Sequence, residues 1–444
     1  MESGRNVKRV DKETQEHLDK PRDALPASLA QTAPTNFRDP YQALHFRDFR
    51  LLFLGTFIAS IGEQMVNVAI GWELYERTGS ALVLGLIGLA QVLPVIVLSL
   101  PAGHMVDRLN RKYIVIVTQV VLALASLGLT VLSYTHGTLI LIYACLLLIG
   151  TSVAFNNPAV STLLPQTVPE HAYENAATWS SSSWQLASML GPALGGFVIA
   201  LGHGATPVYG LNAGAALIFL ALIALLRGKQ QRRQFSAGTT LSSLIEGIQF
   251  LRQTRIILAA ITLDMFAVLL GGATTLLPIF AKDILHVGPS GLGWLRAAPS
   301  IGALCVSVCI AHIPPFKKAG KMLLGAVAGF GMATIVFGFS RSFWLSLLML
   351  FLLGGLDNIS VVIRSTLLLT RTPDALRGRI AAVNTLFIGA SNELGGFESG
   401  LVAQFFGPIV AVAGGGVGTI LVVLCIALIW PEMRRLGRLS ESKR

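Results

Sequence analysis

Carboxyl and amide side chains interrupt several long apolar stretches of this 444-residue chain. A carboxyl group holds a proton more tightly in apolar surroundings and releases it more readily beside a cation. A carboxyl group that meets these two settings in turn would bind a proton in one and release it in the other. The candidates for proton coupling and for solute binding in a cavity are Glu63, Asn67, Asp264, Asp357, Arg364, Asn392, Glu393 and Glu398.

Two interpretations stay open for these groups. Asp357 and Arg364 share one helix face about two turns apart. They either form a structural pair that only neutralises charge, directly or through other helices, or they take part in the function. A charge in the middle of a bilayer costs ~3 kcal/mol on insertion scales. For Glu63, Asp264 and Glu393 we therefore favour a protonatable carboxyl that faces a cavity.

The elements that carry these residues are apolar runs of about 20 residues, each long enough to cross a ~30 Å hydrocarbon core as a helix. The runs are continuous rather than alternating, which excludes a closed β-barrel. They predict an all-α membrane fold with twelve transmembrane helices, and Glu73, near the end of the first run, is interpreted as interfacial. The approximate bounds are 49–75, 80–102, 113–134, 138–161, 176–201, 207–226, 255–281, 290–312, 321–339, 343–368, 379–402 and 408–430.

The composition agrees with a membrane protein. Hydrophobic residues make up 53% of the chain and charged residues 13%, against about 25% charged in ordinary globular proteins. Despite a net charge of +11, the basic residues form short runs between apolar stretches, which is not the pattern of a nucleic-acid groove. Of the 34 Lys and Arg residues, 29 fall on the side of both termini and 3 on the other side. We predict an inner (plasma) membrane protein with both termini in the cytoplasm.

The chain also repeats itself. The segment 161–164 (Ser-Thr-Leu-Leu) recurs at 365–368, and Pro169 has a counterpart in Pro373 at the same offset of 204 residues. An old duplication predicts two parallel six-helix halves around a central site, which is the architecture of an alternating-access transporter. The predicted parts are a disordered cytoplasmic tail at 1–45, a bundle at 46–226, a linker at 227–254 with an amphipathic helix at 241–251, a bundle at 255–430 and a cytoplasmic tail at 431–444.

The most specific local motif lies between the second and third spans. Gly103 allows close backbone approach in a tight loop, and Asp107 can accept N–H groups from the N-terminus of a neighbouring helix. Arg108, Arg111 and Lys112 can pair with acids or with lipid phosphates. The motif is either a gating latch, which we favour, or a basic turn that only fixes the topology.

These residues resemble the loop signature of the major facilitator superfamily, with Asn110 where glycine is usual. More narrowly, the chain resembles the secretion-effector branch, which includes enterobactin exporters and macrolide efflux proteins. The resemblance covers nearly the whole membrane portion. It is carried by Phe49-Arg50, Gly79-Ser80-Ala81, Asn157-Pro158-Ala159, Leu164-Pro165, Gly191-Pro192-Ala-Leu-Gly195-Gly196, Arg377-Gly378-Arg379 and Ser391-Asn392-Glu393-Leu394-Gly395.

The resemblance implies that Asp107 locks the cytoplasmic ends of the two halves together, with Arg377 and Arg379 at the start of span eleven as its partners. Two departures bear on this lock. Span four lacks the acid or arginine with which many relatives pair Arg108, and the second-half copy of the motif, at 316–321, has bases but no aspartate. We therefore expect a one-sided lock.

Small residues in spans five and eleven allow helices to approach closely, and Pro192 would kink span five. One interpretation is static packing, and the resemblance implies that the same residues also permit a rocking motion. These residues are Gly191, Pro192, Gly195, Gly196, Gly396 and Gly400.

No motif supports an enzyme, because the chain has no Walker-type phosphate loop, no HExxH and no Ser/His/Asp arrangement in a soluble part. The four cysteines lie inside apolar runs, and we interpret them as small buried hydrophobes rather than as disulfide or metal sites. We expect no cofactor and no metal. The proton gradient is the expected energy source, with sodium left open as the coupling ion.

We therefore predict a secondary active transporter that works by alternating access and exports a small amphipathic solute, such as a siderophore or a drug, in exchange for protons. The direction and the solute class rest on the resemblance alone. The expected partners are a small-molecule substrate and the lipid bilayer, with no nucleic acid, and the chain is expected to work as a monomer. The alternatives are an importer or uniporter of a small solute, or a passive channel or sensor of transporter ancestry.

Overall fold

The computed structural model describes residues 39–227, 249, 251, 254–313, 318–373 and 376–437. Within these ranges the chain forms long helices and no β-strand, which confirms the predicted all-α membrane fold. The α-helices are α1 (Arg47–Thr78), α2 (Ala81–Arg108), α3 (Arg111–Tyr134), α4 (Leu139–Leu163), α5 (Tyr173–Gly202), α6 (Thr206–Ala224), α7 (Arg255–Leu270), α8 (Gly288–His312), α9 (Ala319–Phe339), α10 (Phe343–Arg371), α11 (Arg377–Phe406), α12 (Pro408–Ile429) and α13 (Pro431–Arg435). Shorter 3-10 turns are Gln42–His45, Leu164–Gln166, Glu170–Ala172 and Ala273–Leu276, followed by a short helix Leu277–Ile279 and a π turn Phe280–Ile284.

Helices α1 to α12 correspond in order to the predicted spans. Over the described residues, 11 spans are long and apolar enough to cross a membrane. The span that falls short is α11, which is 30 residues long but carries Asn392, Glu393 and Glu398 within its length. Because α11 packs against α2, α7 and α12, neighbouring helices can shield part of this polar surface from lipid.

Local signals set where individual helices begin and end. The side chain of Asn110 accepts a hydrogen bond of 3.4 Å from the backbone N–H of Tyr113 and so caps the start of α3. Asn110 therefore has a capping role at the motif position where glycine is usual. Helix α1 ends before Gly79, whose φ of 62° is a left-handed conformation that glycine adopts without strain.

The seventh span is broken, whereas the apolar run 255–281 predicts one continuous helix. After α7 the chain continues in short 3-10, α and π turns. Gly271 and Gly272 lower the helix propensity at the break, and Pro278 removes a backbone donor just beyond it. A Cβ atom at Gly272 would lie 2.5 Å from the carbonyl oxygen of Gly395 in α11, so the glycine at the break lets the two backbones come together.

The bundle consists of two halves, α1–α6 and α7–α12, within one compact unit that begins at Ala43. We call the end where α1 begins and α12 finishes the terminal end, and the opposite end the far end. One buried apolar cluster near the far end contains residues of both halves, such as Ile70 and Phe280. Toward the terminal end each half has its own apolar cluster. The cluster around Leu52 contains residues of the first half alone. The cluster around Ile257 contains residues of the second half and of the segment just before α7. In the described residues the halves are therefore joined at the far end and separate at the terminal end.

Two helix pairs form the seams between the halves, α2 with α11 and α5 with α8. A Cβ atom at Gly196 of α5 would lie 2.8 Å from the Cα atom of Gly293 in α8. A Cβ atom at Gly400 of α11 would lie 2.9 Å from the Cα atom of Gly85 in α2. These glycines therefore pack the halves closely at the far end, while their predicted part in a rocking motion stays a prediction.

Both ends of the described chain pack onto the bundle beyond the predicted tail boundaries. Ala43 is fully buried in an apolar cluster with Phe49 and Val168. Met433 is fully buried in the second half, and α13 packs against α9 and α12. The bundle thus extends past the boundaries set at residues 45 and 431, because apolar side chains just outside the spans find partners on it. Residues 1–38, 438–444 and most of the predicted amphipathic helix at 241–251 lie outside the described residues.

Candidate functional site

Glu63 lies on the face of α1 between the contacts that α1 makes with α5 and with α6 of the first half. Its neighbour Gln64 donates a hydrogen bond of 3.1 Å to Ser188 of α5. On the other side, Gly62 lies against Asn212 of α6. The Glu63 side chain points between these two contacts and is exposed, although it lies in the middle of an apolar span.

The space in front of Glu63 is closed toward the far end. Asn67, one turn further along the same face, is half-buried and donates a hydrogen bond of 3.4 Å to Gln64. Another turn along, a Cβ atom at Gly71 would lie 3.3 Å from the ring of Pro278 in the second half. From these contacts we infer that Glu63 and Asn67 line a central cavity between the halves, beneath the far-end joint.

Arg296 and Glu393 lie just beneath the two seams. Arg296 is one turn further into α8 than Gly293, which contacts α5. The Glu393 carboxylate lies against Gly88 of α2, next to the α2–α11 seam. The two charged groups interact electrostatically. With Glu63 they place two carboxyl groups and one guanidinium at the closed end of the cavity.

Arg364 has a different partner from the one that its spacing indicates. It forms an ion pair with Asp264 of α7, and each residue is only 5% exposed. Asp357, on the same helix as Arg364, is half-buried and instead lines a small pocket between α7, α9 and α10. Arg364 thus pairs through another helix, and Asp264 faces α10 and the pocket rather than the central cavity. A purely structural role of this pair stays a prediction.

Helix α11 presents two polar residues to different surroundings. Asn392 is exposed beside Glu393. Glu398 lies about 140° around the helix from Glu393, on the same side as Leu394 and Phe405, which are 44% and 74% exposed. Exposed apolar residues mark the lipid-facing surface of a membrane helix. This position on α11 does not support the predicted place of Glu398 in the cavity, and we assign Glu398 to the lipid-facing side.

Side chains at the far end form a polar contact between the halves that the sequence did not predict. Tyr75 of α1 donates a hydrogen bond to the carboxylate of Asp283, and the ammonium of Lys282 lies 5.7 Å from the centre of the Tyr75 ring. At the α2–α11 seam, Ser80 donates a hydrogen bond of 2.8 Å to Gln404. We call these five residues the far-end clasp. The paired residues are far apart in the sequence, and no motif links one to the other, so only the charges at the edge of the seventh span indicate a contact.

Glu73 is buried near the far end, which corrects its interfacial assignment. It is 6% exposed, forms an ion pair with Arg77 and accepts a hydrogen bond of 2.6 Å from the hydroxyl of Tyr209 in α6. Arg77 also donates hydrogen bonds to three backbone carbonyls within 132–137. This network is internal to the first half, and its partners satisfy a charge that would otherwise be costly to bury.

The predicted gating loop is largely helical. Helix α2 continues to Arg108, so Gly103 and Asp107 occupy its last turns rather than a tight loop. Arg111 begins α3 and is buried. Lys112 donates two hydrogen bonds of 2.9 Å to backbone carbonyls at and just after the end of α6. Lys112 therefore binds a helix C-terminus, where the helix dipole favours a cation.

The lock between Asp107 and the start of α11 is not formed in this conformation. Asp107 is exposed and makes no hydrogen bond or ion pair within the part of the chain that the structure describes. Arg377 donates a hydrogen bond of 3.2 Å to the carbonyl of Leu369 in α10, and nothing is described of the Arg379 side chain. Because the halves are separate at this end, the lock stays a prediction for a conformation that is closed there.

Cysteine and metal chemistry add nothing to this site. Among the described residues, no group of three or more His, Cys, Asp or Glu side chains could hold a metal ion. All four cysteines are free, and Cys305, Cys309 and Cys425 are exposed rather than buried as predicted. An apolar residue of a membrane helix can face lipid as readily as a protein core, and an apolar run does not distinguish the two.

Sequence comparisons find exporters among the relatives of this chain. The profile of the transmembrane secretion effector family matches residues 39–441. The multidrug efflux pump Tap of Mycolicibacterium fortuitum is 25% identical over 402 residues, which cover 88% of this chain and 97% of Tap. The enterobactin exporter EntS of Citrobacter koseri is 26% identical over 392 residues, which cover 87% of this chain and 92% of EntS.

Solved transporter structures share the fold. The nucleoside transporter NupG superposes with a TM-score of 0.66 at 11% identity, covering 88% of this chain and 100% of NupG. A bacterial homologue of the human lysosomal transporter Spinster superposes with a TM-score of 0.67 at 14% identity, covering 89% and 97%. With the family match over nearly the whole chain, this multi-pass membrane protein belongs to the transmembrane secretion effector branch of the major facilitator superfamily and is a membrane transporter.

Proposed function

We propose that this transporter works by alternating access and exports a small amphipathic solute in exchange for protons. One observation carries the proposal: in the described residues the halves are joined at the far end and separate at the terminal end, and charged side chains lie directly beneath the far-end joint. Glu63, Arg296 and Glu393 are then reached from the terminal end and separated from the far end. A carrier needs a binding site that is open to one side at a time.

The distribution of basic residues supports the orientation. Cytoplasmic loops of membrane proteins carry an excess of Lys and Arg, and 29 of the 34 basic residues fall on the side of the termini. The terminal end is then cytoplasmic, and the conformation is inward-facing. A solute would enter the cavity from the cytoplasm and leave after the far end opens.

Glu63 and Glu393 are the carboxyl groups that we assign to proton coupling. Both lie at the closed end of the cavity, and Glu393 interacts electrostatically with Arg296. Rocking of the halves would open the α2–α11 and α5–α8 seams that flank Glu393 and Arg296. The surroundings of these carboxyl groups would change with the conformation, which is what coupling of protonation to movement requires.

The direction and the solute class draw on the relatives. Tap is a multidrug efflux pump and EntS is an enterobactin exporter, so both relatives move a solute outward. An amphipathic solute also fits a cavity whose closed end holds carboxyl groups and a guanidinium within apolar helices. Importers, uniporters and passive channels are the alternatives that an experiment has to separate from this proposal.

Flux measurements in proteoliposomes test the proposal, with ethidium and enterobactin as probes. We expect an imposed pH gradient to drive accumulation of at least one probe, and we expect probe on the opposite side to stimulate exchange, which a channel does not show. Glu63→Gln and Glu393→Gln should lose the gradient-driven flux, while Glu398→Gln, a carboxyl on the lipid-facing side, should keep it. Full gradient-driven flux in both cavity variants would refute the coupling assignment.

A further inference from the structure

A second polar site lies inside the second half, away from the central cavity. A small pocket between α7, α9 and α10 is lined by the polar side chains of Asp264, Asp357 and Ser360. Its other walls are apolar and include Val327 and Phe330 of α9. The two carboxyl groups and the hydroxyl are thus gathered from two helices in a setting that is otherwise apolar.

Ser360 points to a ligand in this pocket. It is 2% exposed, and its Oγ atom makes no hydrogen bond to any residue that the structure describes. A buried hydroxyl group is normally hydrogen-bonded. Serine and threonine in helices commonly donate to the carbonyl four residues earlier, as Thr366 does to Val362 at 2.8 Å on the same helix. Ser360 does not use this option, so its oxygen remains available to the pocket.

The charge in the pocket favours a cation. Arg364 forms its ion pair with Asp264, and Asp357 forms no ion pair among the described residues. With both carboxyl groups ionised, the side chains of Asp264, Asp357 and Arg364 carry a total of one negative charge. A buried charge without a partner is costly, and a bound monovalent cation would neutralise it.

The donor atoms also decide the kind of cation. The side chains of Asp264, Asp357 and Ser360 all offer oxygen atoms, which hard cations prefer. One uncompensated charge suits a monovalent ion, and in the described ranges no group of three or more His, Cys, Asp or Glu side chains occurs to hold a divalent one. We propose that this pocket binds a sodium ion, with the carboxylates of Asp264 and Asp357 and the hydroxyl of Ser360 as its side-chain ligands.

The bound ion would stabilise the second half. It would connect α7 to α10 next to the Asp264–Arg364 pair, within the part of the seventh span that precedes the break. The inference does not depend on which solute is transported or on which carboxyl group carries a proton. It concerns a different set of side chains from those assigned to the cavity.

Binding is tested with the purified full-length protein in detergent, in a sodium-free choline buffer. A ligand that binds only the folded state raises the melting temperature in a concentration-dependent way. We expect NaCl to raise the melting temperature with saturation, and KCl or choline chloride at equal ionic strength to leave it unchanged. Equilibrium binding of radioactive sodium should reach about one ion per chain. A wild-type protein without a sodium-specific shift would overturn the proposal.

Variants place the ion in the pocket. Asp357→Asn and Ser360→Ala should each weaken sodium binding by about tenfold or more, and the lipid-facing Glu398→Gln should match the wild type. Ser360→Ala removes a single oxygen atom and decides the matter if Asp357→Asn does not fold. Wild-type sodium affinity in the folded variants would place the ion elsewhere and overturn the proposal.

The outcome is separate from that of the proposed function. Proton-driven flux without sodium binding would remove the sodium site and leave the proposed function intact. Sodium binding without proton-driven flux would support the sodium site and refute the proton coupling in the proposed function. Sodium-driven flux that is lost in Ser360→Ala would support the site. It would also mean that sodium, and not the proton, is the coupling ion.

Discussion

Individual charged side chains fall into two groups according to their partners. Asp264 and Arg364 are paired and buried within the second half, and Glu73 is held by Arg77 and Tyr209 within the first. Such groups satisfy one another and fix helices in place. The exposed carboxyl group of Glu63 in mid-span has no such partner among the described residues, which is why we assign it to function.

Breaking the buried pair should be costly. Asp264→Asn leaves the Arg364 guanidinium buried without its partner, and we expect the free energy of unfolding to fall by about 3–5 kcal/mol. Thermal unfolding in detergent measures the effect. The double variant Asp264→Leu with Arg364→Leu should lose less, since neither member of the pair is left buried without its partner. A single variant as stable as the wild type would contradict the pair's structural role.

The far-end clasp should hold the joint closed. Tyr75→Phe removes the hydrogen bond to the exposed carboxylate of Asp283, worth about 1 kcal/mol. Labelling measures this loss in a background without native cysteines, with a single cysteine placed at position 67. In the Tyr75→Phe variant this cysteine should react about fivefold faster than with Tyr75 present, when a membrane-impermeant thiol reagent is added from the far side. Tyr143→Phe is the matched control, because its hydroxyl binds the Val83 carbonyl within the first half. Equal labelling rates in both variants would exclude a gating role for the clasp.

Among whole helices, the seams explain why glycine is needed at some positions and not at others. A Cβ atom at Gly196 would collide with the backbone of α8, whereas one at Gly210 of α6 would meet nothing within 4 Å. The close approach of α5 and α8 therefore depends on the missing side chain. The same reasoning applies to Gly85 and Gly400 at the α2–α11 seam.

An alanine at the seam should impair closure of the far end. Gly196→Ala is expected to increase thiol labelling from the far side and to reduce transport, because the extra carbon keeps α5 and α8 apart. Gly210→Ala adds the same carbon to a helix of the same half and should leave labelling and transport unchanged. If both variants behave alike, the seam does not control closure.

The sequence predicts the helices, but it does not predict several of the contacts between residues of different helices. Apolar runs are local, so the spans and the polar character of α11 follow from the chain itself. The sequence does not reveal the break in the seventh span, because the apolar run continues through Gly271, Gly272 and Pro278. The pairing of Arg364 with Asp264 depends on which helix packs against α10. Spacing along one helix cannot predict that choice, and it also gave no reason to place Glu398 toward lipid.

At the scale of the whole molecule, we propose that the two halves rock about the cavity. The described conformation shows the halves joined at the far end and separate at the terminal end. The opposite arrangement would require the far-end clasp to open and the predicted lock at Asp107 to form. The two ends should therefore move in a reciprocal way.

Distances between spin labels in proteoliposomes, with and without an imposed pH gradient, measure this rocking motion. One pair at exposed positions of the terminal end, His104 and Gly378, reports on that end, and His136 with Phe406 reports on the far end. We expect two populations in which the terminal-end distance shortens as the far-end distance lengthens. Distances that stay fixed, or that change in the same direction at both ends, would contradict it.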